Sequence, residues 1–167
     1  LFRHEKTFVS KTRYAVDLCS SMDDATIDAR IAELKHVDYD RIGERMHAEM
    51  VFVEYTGDAA AYAETVKHVT GIGKTIVLEC ADVEAAKAAL EICKAEKPIL
   101  DGANASNYAE MVEVAKAAGA VLGVSGASLD ELYDTTAAIE KLGYKELVLN
   151  TTGATIKETF ANTVQVR

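Results

Sequence analysis

The chain has 167 residues, of which 49% are hydrophobic and 27% charged, and its formal net charge is −9. This length predicts one domain with a sizeable core. The negative charge argues against nucleic-acid binding, which relies on clusters of Lys and Arg. No apolar run approaches the roughly 18 residues of a membrane span, and no secretion signal is recognisable. The composition therefore predicts neither a nucleic acid nor a membrane as partner.

Three cysteines, Cys19, Cys80 and Cys93, occur without any Cys-x-x-Cys pair. This odd number and spacing predict neither a disulfide framework nor a zinc site. The thiols are expected to be small buried residues, and a reducing cytoplasm is the expected location. The four histidines also lack metal-ligand spacing, so no metal site is predicted.

Strand-like and helix-like segments alternate along the chain. The short apolar runs are rich in β-branched residues, whereas Val83, Ala86, Leu90 and Cys93 recur at helical spacing. Helix-start signals include Ser106 and a capping box at Ser128, and Gly119 is a helix stop. Strands are predicted at 13–18, 50–56, 75–80, 98–104, 121–126 and 146–153, and helices at 26–37, 58–71, 82–97, 106–119, 128–143 and 155–167.

Six strand–helix units of about 25 residues predict an α/β fold with a parallel sheet. A doubly wound sheet and a TIM (β/α)8-type barrel are the two candidates. The barrel is favoured because several strands end in polar clusters, and no single glycine-rich loop dominates as it does in a nucleotide-binding fold. Six units do not close an eight-stranded barrel, so the first and sixth strands are expected to lack a partner. The sequence predicts a leading arm at 1–12 and an incomplete barrel at 13–167, cut from a longer protein.

Polar residues at the strand ends are the candidate site residues. Gly71-Ile72-Gly73-Lys74-Thr75 is not a P-loop, since it leads from a helix into a strand. On a barrel, the carboxyl ends of the strands surround the mouth, which directs attention to Asp17, Glu54, Glu79 and Asp101. No nucleophile–base pair is recognisable, so no catalytic residue is assigned. The alternative role for all these groups is hydrogen bonding at loop ends and caps. The predicted polar residues of the mouth are Asp101, Asn104, Ser125 and Asn150.

Five segments together resemble one known family, the gamma (large) subunit of the corrinoid iron–sulfur protein. This subunit belongs to the acetyl-CoA decarbonylase/synthase (CO dehydrogenase/acetyl-CoA synthase) system. The resemblance extends over essentially the whole chain, and its most specific segment is the first. The segments are RHEKTF, TRYAVDL, PILDGANASNYAEMVEVAKAAGAVLGVSG, ELVLNTTG and TVQVR.

The resemblance implies a three-part protein: a domain with a 4Fe-4S cluster, a central (β/α)8 barrel and a corrinoid (cobalamin) domain. The present chain corresponds to most of the barrel, so neither cofactor is expected on this segment. The implied function is a scaffold in a methyl carrier that passes a methyl group from methyl-tetrahydropterin to acetyl-CoA synthase. The implied partners are the small corrinoid-protein subunit, a methyltransferase and acetyl-CoA synthase.

Two other functions are compatible with a barrel. A pterin-binding methyltransferase barrel would use Asp101, Asn104, Ser125 and Asn150. An aldolase-type lyase needs a Lys at a strand end for a Schiff base, and no predicted strand ends in one. The isolated barrel is thus expected to be non-catalytic, with the pterin-binding barrel as the alternative.

The opening segment RHEKTF places four polar residues between apolar neighbours. We expect Arg3, His4, Glu5 and Lys6 to form a contact between domains or subunits. The alternative is a solvated strand that covers the bottom of the barrel.

Overall fold

The computed structural model describes residues 12–166, and it contains all six predicted strand–helix units. The strands are β1 Ala15–Cys19, β2 Asp38–Arg41, β3 Glu44–His47, β4 Met50–Glu54, β5 Thr75–Glu79, β6 Ile99–Ala103, β7 Val121–Val124 and β8 Leu147–Leu149. The α-helices are α1 Asp24–His36, α2 Ala59–Val69, α3 Val83–Cys93, α4 Tyr108–Ala118, α5 Leu129–Lys141 and α6 Ile156–Val166. A short 3-10 helix, Lys94–Glu96, follows α3.

Six strands form one parallel sheet in the order β1-β4-β5-β6-β7-β8. Each strand of this sheet therefore pairs with the strand of the next strand–helix unit. From α1 to α5, each helix also packs against the next helix in sequence. A doubly wound sheet would instead reverse its order at a switch point. The architecture is α/β with a barrel-like sheet. Within residues 12–166, β1 and β8 are the two edges, as expected for the first and sixth predicted strands, and the sheet is not closed.

The core lies between the sheet and the helices, and it follows the two-residue period of the strands. Alternate strand residues are fully buried, and they meet the apolar stripes of the helices. The largest buried side chains include Leu18, Val51, Val53, Ile76, Leu78, Leu100 and Leu122 from the strands and Ile27, Tyr62, Leu90, Met111 and Ile139 from the helices.

A hairpin formed by β2 and β3 stands between α1 and β4, where the sequence predicted only a connection. Its strands pair antiparallel from Asp38↔His47 to Arg41↔Glu44. Apart from Tyr39 and Met46, the strand residues are polar, and most are exposed, so they lack the apolar alternation from which a half-buried strand is predicted. The turn itself is formed by Ile42 and Gly43, both at positive φ.

The start of α4 corrects another prediction. Ser106 does not cap this helix, which begins at Tyr108 after Asn107. The Ser106 hydroxyl instead donates to Oδ1 of Asn104 at 2.5 Å, a local bond inside the loop that precedes the helix. The Ser128 cap of α5 is confirmed by a 3.2 Å bond from the Glu131 amide, and the Gly119 stop is confirmed by its positive φ.

Candidate functional site

Three carboxylates form a row across the carboxyl ends of adjacent strands. The strand registers pair Glu54 with Glu79 and Glu79 with Asp101. Cys19 on β1 and Gly123 on β7 occupy the flanking positions. Residues in register on parallel strands point to the same side of the sheet. We call Glu54, Glu79 and Asp101 the carboxylate row.

An apolar layer lies directly beneath this row. Phe52, Val77, Ile99 and Val121 are aligned by the same registers, two residues before the carboxylates on β4, β5 and β6. From β4 to β7 the sheet face opposite the helix-packed core is therefore apolar below and acidic at the carboxyl ends, whereas on β1 the lower layer carries Asp17, paired with Phe52 and not at the strand end. Such stacked layers are typical of a barrel interior, where the mouth is polar and the centre is packed.

Burial raises the pKa of two members of the row. Burial raises the pKa of the Glu79 carboxyl above its ordinary value, and the nearby Asp101 and Glu54 carboxylates raise it further. Burial also raises the pKa of Asp101, an effect that the hydrogen bond from Asn150 partly offsets. Glu79 and Asp101 therefore hold protons more readily than free carboxylic acids do.

Asp101 is positioned by an amide and by two glycines. Nδ2 of Asn150 donates to its Oδ2 at 3.0 Å. A Cβ at Gly123 would lie 2.5 Å from Oδ1 of Asp101, so only glycine leaves room for this side chain on β7. A Cβ at Gly102 would lie 2.1 Å from the Cys80 carbonyl oxygen. The Asp101 conformation thus depends on close backbone packing around it.

The other two residues predicted for the mouth hold loops in place. Oδ1 of Asn104 accepts from the Ser106 amide at 2.9 Å, inside its own loop. The Ser125 hydroxyl donates to the Ala103 carbonyl at 3.4 Å. Direct contacts therefore join Asp101 with Asn150, while Asn104 and Ser125 bond to neighbouring backbone. The assignment of all four to a ligand-binding mouth stays a prediction.

Glu54 and Glu79 were considered as strand-end carboxylates but were not among the four predicted mouth residues, and Gly123 was not considered. Both glutamates end their strands, which was a visible signal, but their membership of one row depends on the register between strands. Gly123 gave no signal, because its role is a steric relation to a side chain on the neighbouring strand.

A cleft of about 590 Å³ lies beside the row. It is bounded by the loops after β7 and β8 and by one face of α6, including Asn162. Asn150 lines the cleft and also bonds Asp101. A ligand in the cleft would therefore meet amide and hydroxyl groups and the carboxylates of Asp130 and Glu158, with Asp101 behind Asn150.

Two of the three thiols are buried and are not activated as nucleophiles. Burial raises the pKa of Cys80 to about 11 and that of Cys93 to about 12, so both stay protonated at neutral pH. Cys19 is half-buried, and its sulfur lies 3.0 Å from the Ser21 hydroxyl. Across residues 12–166, no group of three His, Cys, Asp or Glu side chains is placed to hold a metal ion.

Two further predictions concern the ends of the chain and the membrane. Arg3, His4, Glu5 and Lys6, with most of the 1–12 arm, lie outside the described residues. Between residues 12 and 166, no helix has the length and apolar character needed to cross a membrane.

The buried carboxylate gives a testable dependence of stability on pH. Because the pKa of Asp101 is raised above its ordinary value of 3.8, the native state binds this proton more tightly than the unfolded chain does. Its contribution to stability is fully present below the ordinary pKa and is lost as the pH rises through the raised pKa. We expect Asp101→Asn, which removes the charge, to stabilise the protein at neutral pH and to lose this advantage towards pH 3.8.

Urea unfolding at several pH values measures this difference. The matched control is Asp134→Asn, which changes an exposed carboxylate on α5. An Asp101→Asn advantage that is the same at every pH would contradict the assignment to a raised pKa.

Comparisons with known proteins agree with the resemblance found in the sequence. A family profile described as CO dehydrogenase/acetyl-CoA synthase delta subunit matches residues 1–167. The chain is 28% identical to the corrinoid/iron-sulfur protein large subunit of Moorella thermoacetica, covering 100% of this chain and 38% of that protein. It is 30% identical to the acetyl-CoA decarbonylase/synthase complex subunit gamma of Methanothermobacter thermautotrophicus, with the same coverage.

A gamma subunit from Archaeoglobus fulgidus is 29% identical, and the chain covers 37% of it. The chain thus spans well under half the length of these relatives. The matching profile is described as delta, whereas the relatives are named gamma or large subunits. The profile covers every residue of the chain, and so the chain belongs to the CO dehydrogenase/acetyl-CoA synthase delta subunit family.

Proposed function

We propose that this chain is a scaffold barrel in a corrinoid iron–sulfur methyl carrier. The observation that carries the proposal is the match of the whole chain to this family, whose relatives are named as corrinoid/iron-sulfur and acetyl-CoA decarbonylase/synthase subunits. The apolar layer beneath the carboxylate row supports it, because a packed interior suits a rigid support. The methyl group would travel from methyl-tetrahydropterin to acetyl-CoA synthase.

We further propose that the six-stranded sheet is an arc of a TIM (β/α)8 barrel. The sequential parallel order of the strands supports this closure. So does the apolar surface at the β8 edge, where Ile156 and Phe160 on α6 are 91% and 72% exposed. Two more strand–helix units would cover that surface and pair both sheet edges.

The proposed partners are the small corrinoid-protein subunit, the methyltransferase and acetyl-CoA synthase, in a reducing cytoplasm. The corrinoid and the 4Fe-4S cluster would be held by other parts of the full-length protein. A rigid support with a tethered cofactor domain raises the effective concentration of each encounter. Arg3, His4, Glu5 and Lys6 are proposed to contribute to a contact between domains or subunits.

Sedimentation velocity tests the scaffold function. The full-length subunit without corrinoid is mixed with the small corrinoid-protein subunit. We expect a one-to-one complex, since a scaffold needs no cofactor to assemble. If both proteins are folded but sediment separately, the scaffold function is wrong.

The second candidate is a pterin-binding methyltransferase barrel. The contact between Asp101 and Asn150 beside the 590 Å³ cleft favours it, because a carboxylate and an amide can bind the polar edge of a pterin ring. Calorimetric titration of the full-length subunit with methyl-tetrahydrofolate, and separately with methyl-tetrahydromethanopterin, tests it. Saturable binding that Asp101→Asn weakens would favour this candidate, and no heat with either pterin would exclude it.

A further inference from the structure

The β2–β3 hairpin is a sheet of two strands within residues 12–166. Two strands alone are marginally stable in water, and a third strand or a packed apolar face is needed for independent stability. We call the edge of β3 that faces away from β2 the outer edge. The edge of a sheet is a template for pairing with a further extended segment, so the direction of the outer edge indicates where such a segment would come from.

The position of β2 indicates which way the outer edge faces. The hydrogen bond from Arg45 is the main cause of the lowered pKa of Asp38, and the charge of Lys74 contributes to it. Because Lys74 directly precedes β5, β2 lies on the β5 side of β3. In the large sheet, β5 and β1 pair with opposite edges of β4. The outer edge of β3 therefore faces the side of β1.

The chain that leads into β1 passes along this same side. The Glu49 amide donates to the Tyr14 carbonyl at 3.1 Å, and the Thr75 amide donates to the Glu49 carbonyl at 3.1 Å. The Tyr14 amide also donates to the Glu49 carboxylate at 3.0 Å. Just after β3, the backbone thus lies between the incoming chain on one side and β5 on the other, as β4 does.

The register of β1 with β4 can be continued backwards onto β3. Ala15 lies opposite Met50 in this parallel pair. The same offset brings residues 9–12 opposite residues 44–47, which are the whole of β3. The direction is fixed as parallel, because both segments run towards the strands that they precede.

A buried atom on β3 lacks a partner that this segment can supply. Nδ1 of His47 is buried and has no hydrogen-bond partner among residues 12–166. In the continued register Thr12 is opposite His47, and Ser10 is on the same face of the sheet, two residues earlier. A serine hydroxyl can donate to Nδ1 when Nε2 carries the imidazole proton. Such a bond would remove the cost of a buried polar atom without a partner.

The charges of the two segments are complementary. With histidines counted as neutral, residues 38–49 contain four carboxylates and two arginines, a net charge of −2, and residues 1–11 contain three basic residues and one glutamate, a net charge of +2. Both arginines of the hairpin are included in this count, and one of them, Arg45, is held by Asp38. The charged residues are Asp38, Asp40, Arg41, Glu44, Arg45 and Glu49 in the first segment and Arg3, Glu5, Lys6 and Lys11 in the second.

We propose that residues 9–12 form a third strand of the hairpin sheet, parallel to β3 and on its outer edge. The occupant is a segment of this same chain, because the chain passes the outer edge on its way to β1. The inference stands without the scaffold function. It adds a location to the contact proposed for residues 3–6, which would lie beyond the β2–β3 turn, at the end of the sheet opposite the carboxylate row.

Paired cysteines in the full-length subunit test the register. Lys11→Cys with Met46→Cys joins two positions that would lie opposite each other, about 5 Å apart on neighbouring strands, which a disulfide can bridge. Lys11→Cys with Glu44→Cys is the matched control, because these diagonal positions would be about 7–8 Å apart. We expect oxidised glutathione to link the first pair and not the second. Mass spectrometry of the linked peptides distinguishes these bonds from any formed by the native cysteines.

Hydrogen exchange gives a second measure that needs no added cysteine. Successive backbone amides of a strand point to opposite edges, so one of Val9→Pro and Ser10→Pro removes a hydrogen bond to β3. In that variant we expect the peptide containing residues 44–47 to exchange about fivefold faster or more. Thr7→Pro is the control, since position 7 would lie beyond β3, and it should leave this exchange unchanged.

Three results would overturn the inference, and each has a different meaning. If Lys11→Cys links to Glu44→Cys instead, the register is wrong. If neither pair links, and both Val9→Pro and Ser10→Pro exchange like the wild type, the segment does not lie on β3. If Lys11→Cys and Met46→Cys link only between two molecules, the third strand comes from a second copy of the subunit.

Discussion

Gly102→Ala is expected to destabilise the protein by about 3 kcal/mol, at the upper end of the effects of overpacking. A Cβ at this position would lie 2.1 Å from the carbonyl oxygen and 2.5 Å from the carbonyl carbon of Cys80. Both atoms belong to the backbone, so no side-chain rotation relieves the clash. The end of β6 would have to move away from the residue that follows β5.

The same movement should disturb the carboxylate row. Gly102 lies between Asp101 and Ala103, where the register between β6 and β7 shifts. Its carbonyl accepts a 3.1 Å hydrogen bond from the Asn107 side chain. Gly102→Ala is thus expected to displace Asp101 from Asn150 as well as to lower stability.

Gly119→Ala is the matched control for this prediction. Gly119 has a φ of 64°, and a Cβ there would meet no atom within 4 Å. Its replacement should cost about 1 kcal/mol, which reflects the left-handed backbone alone. Urea unfolding followed by circular dichroism measures both variants. Equal losses for Gly102→Ala and Gly119→Ala would refute the steric explanation.

Phe160→Ala in the full-length subunit should cost about 3 kcal/mol if the barrel closes as proposed. In the described structure Phe160 is 72% exposed on α6. Further strand–helix units would bury it, and removal of a buried Phe typically costs about 3–5 kcal/mol. Without such cover, alanine would be neutral or slightly stabilising, because it is the best helix former. The two cases therefore differ in sign.

Tyr133→Ala provides the control. Tyr133 is also 72% exposed on a helix, but its helix, α5, is not at the end of the six-stranded arc. It should remain within about 0.5 kcal/mol of wild type. Thermal or urea unfolding of the isolated full-length subunit measures both variants. A stable Phe160→Ala protein would show that α6 keeps its exposed face, and the closed barrel would be rejected.

The predicted helices and strands were confirmed where local sequence signals and burial agree. The six strands of the sheet are short and apolar, and helix starts such as Asp58, Asp82 and Ser128 form side-chain caps in the structure. These features depend on residues that are close in sequence. The β2–β3 hairpin was not predicted, because its exposed, mostly charged strands carry no apolar period. Ser106 was wrongly assigned as the cap because Asn104, Ser106 and Asn107 lie in one loop, and the sequence does not say which of these polar residues directly precedes the helix.

The candidate site was predicted only in part, for a related reason. Asp101 and Asn150 were both chosen because they lie at strand ends, and the structure joins them by a hydrogen bond. Asn104 and Ser125 fit the same rule, yet their side chains bond to nearby backbone groups. The orientation of a polar side chain at a strand end depends on its loop, which the strand pattern does not describe.

The sequence by itself determined the α/β class, the number of strand–helix units and the family, because these follow from local periodicity and from motifs spread over the whole chain. Only the tertiary structure decided the strand order, the alignment of Glu54, Glu79 and Asp101 in one row, and the positive φ of Ile42 in the β2–β3 turn. The strand order and the row depend on the register between strands that are distant in sequence. The conformation of Ile42 depends on an unusual local backbone angle. Hydrogen bonding between strands fixes such relations, and it leaves no period in the sequence.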